Sequence, residues 1–223
     1  MSRWDFARAL FDEHFRPLRA AGFELERLDD AETYWKLHDR ELLAHFPHEI
    51  FFHLPHLRSE HERAGQFRLA QASGANPLSD FSVIRKGAGV IGMFAGEQQA
   101  EGVYRMRHAN IHPEHRRRGI YGKILRATIA YTAALGFDTI TSEHVPCNNA
   151  ILIAKLRAGF HIYSLELDAG PGISVVLRYF HNPEYLAAYE LRCGMASLTP
   201  KLSGSALGAW PQFCAQALAS KRR

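Results

Sequence analysis

Thirteen residues in the middle of the chain bring three guanidinium groups to a place where a strand gives way to a helix: Asn110-Ile111-His112-Pro113-Glu114-His115-Arg116-Arg117-Arg118-Gly119-Ile120-Tyr121-Gly122. The first amides of a helix have no internal partners, and the helix dipole places partial positive charge there. A pyrophosphate can accept those hydrogen bonds directly. Gly119 keeps a Cβ out of the path of an approaching ligand, and arginine forks suit phosphate oxygens. Arginine at a helix N-terminus opposes the dipole, and Glu114 is the only carboxylate close in sequence, so the charge calls for an anion. The competing reading of a bare Arg-Arg-Arg-Gly run is a solvated helix end or a nucleic-acid patch.

Such a turn must be held by a strand before it and a helix after it. Val103 to Ile111 reads as that strand. Arg118 to Leu135 reads as the helix, with Ile120, Ile124, Ala127, Tyr131 and Ala134 on one face and Gly136 as its stop. Phe137 to Val145 is then a strand, Asn149 to Ala158 a helix ended by Gly159, and Phe160 to Leu167 and Ile173 to Phe180 two further strands. Upstream, Trp4 to Ala20 has helical spacing, Phe23 to Leu28 alternates like a strand, and Asp29-Asp30 caps a helix from Ala31 to about Ala44. Another helix is expected over Ser59 to Gln71. Phe81 to Arg85 and Val90 to Gly96 form a hairpin around Lys86-Gly87-Ala88-Gly89.

The tail reads as two helices, Pro183 to Cys193 and Ala206 to Ser220, expected to cover a sheet edge or form a homodimer contact. This order predicts an α/β (α+β) chain with a mixed sheet and helices on both faces. With no repeat and no linker, residues 1–223 are expected to be one domain, a core over 23–181 with a helical C-terminal extension over 182–223.

Composition sets the outer limits. Hydrophobic residues at 47% and charged residues at 22% exclude a disordered chain, and no apolar run approaches the roughly 20 residues that span a bilayer. A net charge of +4 and a pI near 9.0 favour an anionic partner without naming one. Three cysteines, Cys147, Cys193 and Cys214, have no metal-ligand spacing, so reduced thiols in a cytoplasmic protein are expected. Cys147 is expected to be a buried or semi-buried small residue. His45, His48, His53, His56 and His61 invite a metal, but no helical His-x3-His pair and no cysteine joins them, so none is expected.

At this point the sequence resembles the GNAT superfamily of N-acetyltransferases, whose pyrophosphate motif is Gln/Arg-x-x-Gly-x-Gly/Ala after a strand with a following proline. Arg116-Arg117-Arg118-Gly119-Ile120 matches it, with Ile111 and Pro113 in place. Tyr121 stands where the family has Gly or Ala, and Gly122 comes one step later. Asn148-Asn149-Ala150, a helix and Gly159-Phe160 resemble a second family segment, and the two together cover Val103 to about Leu167, under a third of the chain.

The resemblance implies a mostly antiparallel sheet of about six to seven strands with a splayed central pair, here Val103–Ile111 and Phe137–Val145. It implies acetyl-CoA as co-substrate, held by Asn110, Ile111, Arg116, Arg117, Arg118, Gly119, Ile120, Tyr121, Gly122 and Asn148. It also implies direct transfer to a small-molecule or peptide amine, with no metal, nucleic acid or membrane. A regulatory acyl-CoA-binding domain and transfer of another acyl group are the alternatives.

The reaction needs a base for the amine and an acid for the thiolate. Glu143 and His144 are the leading base candidates from their place on the flanking strand, and His108, Asn110 and His112 share a face of the other strand. Alignment back from Gly159-Phe160 puts Lys155 where many family members have an acidic Tyr. Tyr121, Ser142 and Tyr163 are other possible donors, so the acid stays open.

Overall fold

The computed structural model describes residues 4–45, 60, 77–100, 102–168 and 172–194. The expected helix over Ser59–Gln71, the second tail helix, His48, His53, His56, His61 and Cys214 lie outside the described residues. The chain divides into two compact units, Met1–Tyr179 and Phe180–Arg223. In the second, helix α6 (Pro183–Arg192) carries Tyr189, which stacks on Phe180 with ring centroids 5.2 Å apart.

The first unit opens with α1 (Asp5–His14) and α2 (Arg16–Ala20) where one helix was expected. The reason is local. Pro17 lies in the first turn of α2, where its missing amide costs nothing, but it cannot continue a helix arriving from α1. Then come β1 (Glu24–Leu28) and α3 (Ala31–Glu41). Asp30 caps α3, its carboxylate accepting from the Thr33 amide at 2.7 Å and the Thr33 hydroxyl at 2.9 Å.

The remaining strands are β2 (Ser79–Lys86), β3 (Gly89–Ala100), β4 (Val103–Ile111), β5 (Thr139–His144), β6 (His161–Asp168) and β7 (Gly172–Phe180). Helix α4 (Ile120–Ala134) joins β4 to β5, and α5 (Asn149–Arg157) joins β5 to β6. The seven strands form one sheet in the order β1-β2-β3-β4-β5-β7-β6. Pairing is antiparallel from β1 to β4 and between β6 and β7, and parallel between β4 and β5.

Helices cover both faces. One face buries Phe11, Phe15, Phe94, Tyr104, Ile124 and Tyr131 under α1 and α4; the other buries Tyr34, Leu37, Phe81, Val83 and Met93 under α3. Beneath α4, the Asp80 carboxylate is fully buried and accepts from Tyr104 at 2.9 Å, Tyr131 at 3.1 Å and Arg27 at 3.1 Å.

Two irregularities in β4 set the surroundings of its C-terminal half. Ala95 pairs with His108 but Gly96 pairs with Met106, so Arg107 is an extra residue in β4. This bulge breaks the alternation of faces. Tyr104 and Met106 point into the core under α4, whereas His108 and Asn110 meet α3. The second feature is an early end to pairing: β4 and β5 are in register only at Val103–Thr139, Tyr104–Ile140 and Arg105–Thr141. From Met106 and Ser142 onward the two parallel strands part.

Candidate functional site

At the end of β4 the chain makes a short 3-10 turn (Pro113–His115) before α4 begins at Ile120, two residues later than the expected start at Arg118. Gly119 takes the N-cap position with φ +74, a left-handed conformation that other residues adopt only at a cost. Arg117 also has positive φ, at 60, and bears that strain beside the helix entrance. The arginines therefore stand in the loop before the helix rather than in its first turn.

Gly119 has no side chain to cap α4, and the first helical bond runs from the Lys123 amide to the Gly119 carbonyl at 3.0 Å. Among the described residues, none of the backbone amides from Arg117 to Gly122 donates to a protein group. Six consecutive donors at the positive end of a helix are therefore available to a ligand. A Cβ built on Gly119 would meet nothing within 4 Å, so the space in front of the turn is open. Arg117 and Arg118 are exposed, and among the described residues neither forms an ion pair, Glu114 included.

The remaining residues of the turn divide by role. Arg116 folds back, its Nε donating to the Ile111 carbonyl at 3.0 Å, and so ties the turn to the end of β4. Ile120 is buried in the core, so only its backbone faces the turn. Tyr121 is partly buried against the same core, and burial raises its phenol above the usual range, which keeps it protonated. Gly122 has ordinary helical geometry. Asn110 is buried, its Nδ2 3.1 Å from His38 Nε2. Asn148 caps α5 by accepting from the Ile151 amide at 3.4 Å, which occupies its oxygen and leaves its NH2 group.

Glu143 and His144 sit where β5 has parted from β4. The Glu143 carboxylate accepts from Arg105 at 2.7 Å, so that oxygen is already engaged in an ion pair. His144 Nε2 lies 2.7 Å from the Ser142 hydroxyl. Burial, and secondly the charge of Lys155, push the imidazole down to about 3. A ring that stays neutral over the physiological range is poorly matched to taking a proton at neutral pH.

The same depression makes a stability prediction. Below pH 6.5 the unfolded chain protonates His144, while the folded chain does not until about pH 3. The neutral ring thus favours folding above 6.5, and that advantage is lost progressively as the pH falls toward 3. Urea melts across this window should show stability dropping by a few kcal/mol, and His144→Asn should flatten the slope.

Lys155 is the site's most unusual residue. It is 1% exposed, and its Nζ donates to the Met106 sulfur at 3.5 Å and lies 4.8 Å from the centre of the Phe160 ring. Among the described residues no carboxylate compensates it, and burial pushes the amine well below its ordinary value. The sequence places Lys155 on a helix; it shows nothing of this burial.

On the α3 side, His108 Nδ1 lies 2.6 Å from the Tyr34 hydroxyl, and the His38 ring packs edge-on against His108 with centroids 4.6 Å apart. His38 Nδ1 meets the Asp39 carboxylate at 3.1 Å. His38 was missed in the sequence, because nothing local ties α3 to a strand some 70 residues on. His112 Nε2 lies 2.9 Å from His45 Nε2, while His112 Nδ1 accepts from the Glu114 amide at 3.3 Å. The second contact puts a His112 proton on Nε2, so His112 donates to His45 Nε2. Among the described residues, no group of three or more His, Cys, Asp or Glu side chains could hold a metal.

Cys147 corrects an expectation. It is exposed, as is Cys193, and both are free thiols. The loop between β5 and α5 lies at the surface, so a small side chain there has nothing to bury it. Tyr163 is also exposed and stacks under Arg178, 3.7 Å from the ring centre, on the β6–β7 hairpin. A hollow of about 510 Å³ lined by Arg19, Gly22, Phe23, Glu24 and Leu25 lies beside β1, three strands from β4, and includes no residue of the turn.

No protein-family model matches the chain, and no curated protein matches it. Among solved structures it is similar to an IAA acetyltransferase from Bacillus cereus ATCC 14579, with 14% identity over 71% of this chain and 99% of that one and a TM-score of 0.47. It is also similar to a GNAT family acetyltransferase from Elizabethkingia anophelis with acetyl-CoA bound, with 10% identity over 71% and 98% and a TM-score of 0.49. The seven-stranded, mostly antiparallel sheet with its parted β4–β5 pair has the strand number and pairing expected from the two sequence motifs.

Proposed function

We propose that the chain is an acetyl-CoA-dependent N-acetyltransferase that passes an acetyl group directly to the amine of a small molecule or peptide. The observation that carries this reading is the run of unpartnered amides from Arg117 to Gly122, opening onto free space at the start of α4. It suits a diphosphate, with Arg117 and Arg118 free to neutralise its charge. The parted strands begin on the same β4, so an extended thioester arm has unpaired strand backbone to lie against. The exposed thiols Cys147 and Cys193 fit a reducing compartment, as a cytoplasmic enzyme requires.

On this reading the turn binds and orients the diphosphate, and Arg116 keeps the turn fixed to the end of β4. Holding two reactants in one gap supplies part of the acceleration by itself. The test is calorimetric titration of the chain with coenzyme A, together with thiol release from acetyl-CoA across a panel of primary amines. Binding without thiol release above the uncatalysed rate would instead support a regulatory acyl-CoA-binding domain. Absence of binding would reject the reading.

A further inference from the structure

We propose that Lys155 is the proton carrier of the transfer reaction: its Nζ takes the proton from the attacking amine and delivers it to the departing sulfur. The proposal rests on the acetyl-CoA reading above and adds a role for one residue. Geometry is its main support. Met106, which Lys155 Nζ touches at 3.5 Å, is the first β4 residue beyond the last β4–β5 pair, so the amine stands at the point where the strands part. The contact atom is a sulfur, and the Phe160 ring closes the other side at 4.8 Å.

A lysine carried into the core without a carboxylate is costly, and a methionine would fill the same slot without that cost. Burial without a partner pushes the amine well below its ordinary value, toward the neutral form whose lone pair can take a proton. Of the titratable groups on the strands around it, His144 on β5 is the one whose charge is coupled to Lys155, and it is itself neutral. Glu143 and Arg105 pair with each other instead.

The step balances. The acceptor nitrogen forms a bond to the acyl carbon and gives up one proton to the neutral Lys155 Nζ. The carbon–sulfur bond breaks, the resulting ammonium protonates the sulfur, and Lys155 returns to its starting state. No oxidant, reductant or metal takes part. One residue thus acts first as base and then as acid.

The test uses the whole chain and hydroxylamine, a small amine that needs no fitted acceptor pocket. The neutral state of Lys155 is read independently by side-chain NMR titration of the free chain, which should show an uncharged amine at pH 7. Lys155→Met should bind coenzyme A with the wild-type affinity by calorimetry, which also shows that it folds. Thiol release from acetyl-CoA with hydroxylamine should fall by about 100-fold or more, with loss of the rising limb of the pH–rate profile.

Turnover within threefold of wild type in Lys155→Met, or a protonated Lys155 at pH 7, would each overturn the carrier role alone, whereas no catalysed release by a wild-type chain that binds coenzyme A would overturn it together with the acetyltransferase reading. A stable acetyl group on Lys155 in the intact protein mass would overturn it too, since the amine would then be a nucleophile. Failure of the wild-type chain to bind coenzyme A would overturn this proposal together with the reading beneath it.

Discussion

Gly119→Glu is expected to lower affinity for coenzyme A by about 100-fold, with cooperative unfolding retained. Two effects combine. The left-handed φ of +74 costs a non-glycine residue on the order of 1 kcal/mol, which falls mainly on stability. The larger effect on binding is the carboxylate itself. It enters open space in front of six free amides, where it can accept their hydrogen bonds in place of a phosphate and repel the phosphate as well. Loss of one or two charge-assisted bonds, each about 1.5–3 kcal/mol, gives a decrease of that size.

Gly119→Ala separates the two contributions. Its Cβ meets nothing within 4 Å, so it carries the backbone strain without the charge and should bind coenzyme A nearly as well as wild type. Arg117→Glu should weaken binding in the same direction as Gly119→Glu. Calorimetry on the three variants is decisive, because unchanged affinity in both glutamate variants would remove the turn from the binding site.

The second large effect is on the fold. Asp80→Ala should destabilise the chain by about 3–5 kcal/mol, because it leaves the Arg27 guanidinium and two buried tyrosine hydroxyls without their shared acceptor. At this chain length that corresponds to a fall of about 10 °C in thermal midpoint. Burial raises the Asp80 carboxyl above the usual range, and Arg27, Tyr104 and Tyr131 pull the other way. Asp80→Asn keeps an acceptor oxygen and should cost less.

Gly96 belongs to the same arrangement. A Cβ there would overlap the Tyr104 hydroxyl, so Gly96→Ala should also destabilise the chain. A thermal melt of Asp80→Ala within about 2 °C of wild type would show that the cluster contributes little.

Several features were legible because their causes are contiguous. The Asp30 cap is written in the Asp30-Ala31-Glu32-Thr33 tetrad and needs no distant partner. Gly119 marks the entrance to α4 and the three arginines its charge, since both are set within a few residues. The strand and helix order followed from hydrophobic period. Where local reading missed, the deciding partner was remote or the competing effect was subtle. The helix was expected to begin at Arg118, but Gly119 in the left-handed region moved its start to Ile120. The sequence also did not show that Arg116, expected as a phosphate ligand with its neighbours, donates its Nε to the Ile111 carbonyl.

By itself, the amino-acid sequence determined the element order and the glycine and arginine content of the turn before α4, because glycine freedom and guanidinium charge are short-range properties. Only the tertiary structure decided which ionisable groups lost their water. It buried Lys155 against Met106, 49 residues away, and placed His38 beside Asn110, 72 residues away. It also used one extra residue in β4 to turn His108 and Asn110 toward α3 rather than into the core beside Met106. Desolvation depends on everything packed around a group, and that neighbourhood exists only once distant segments have met.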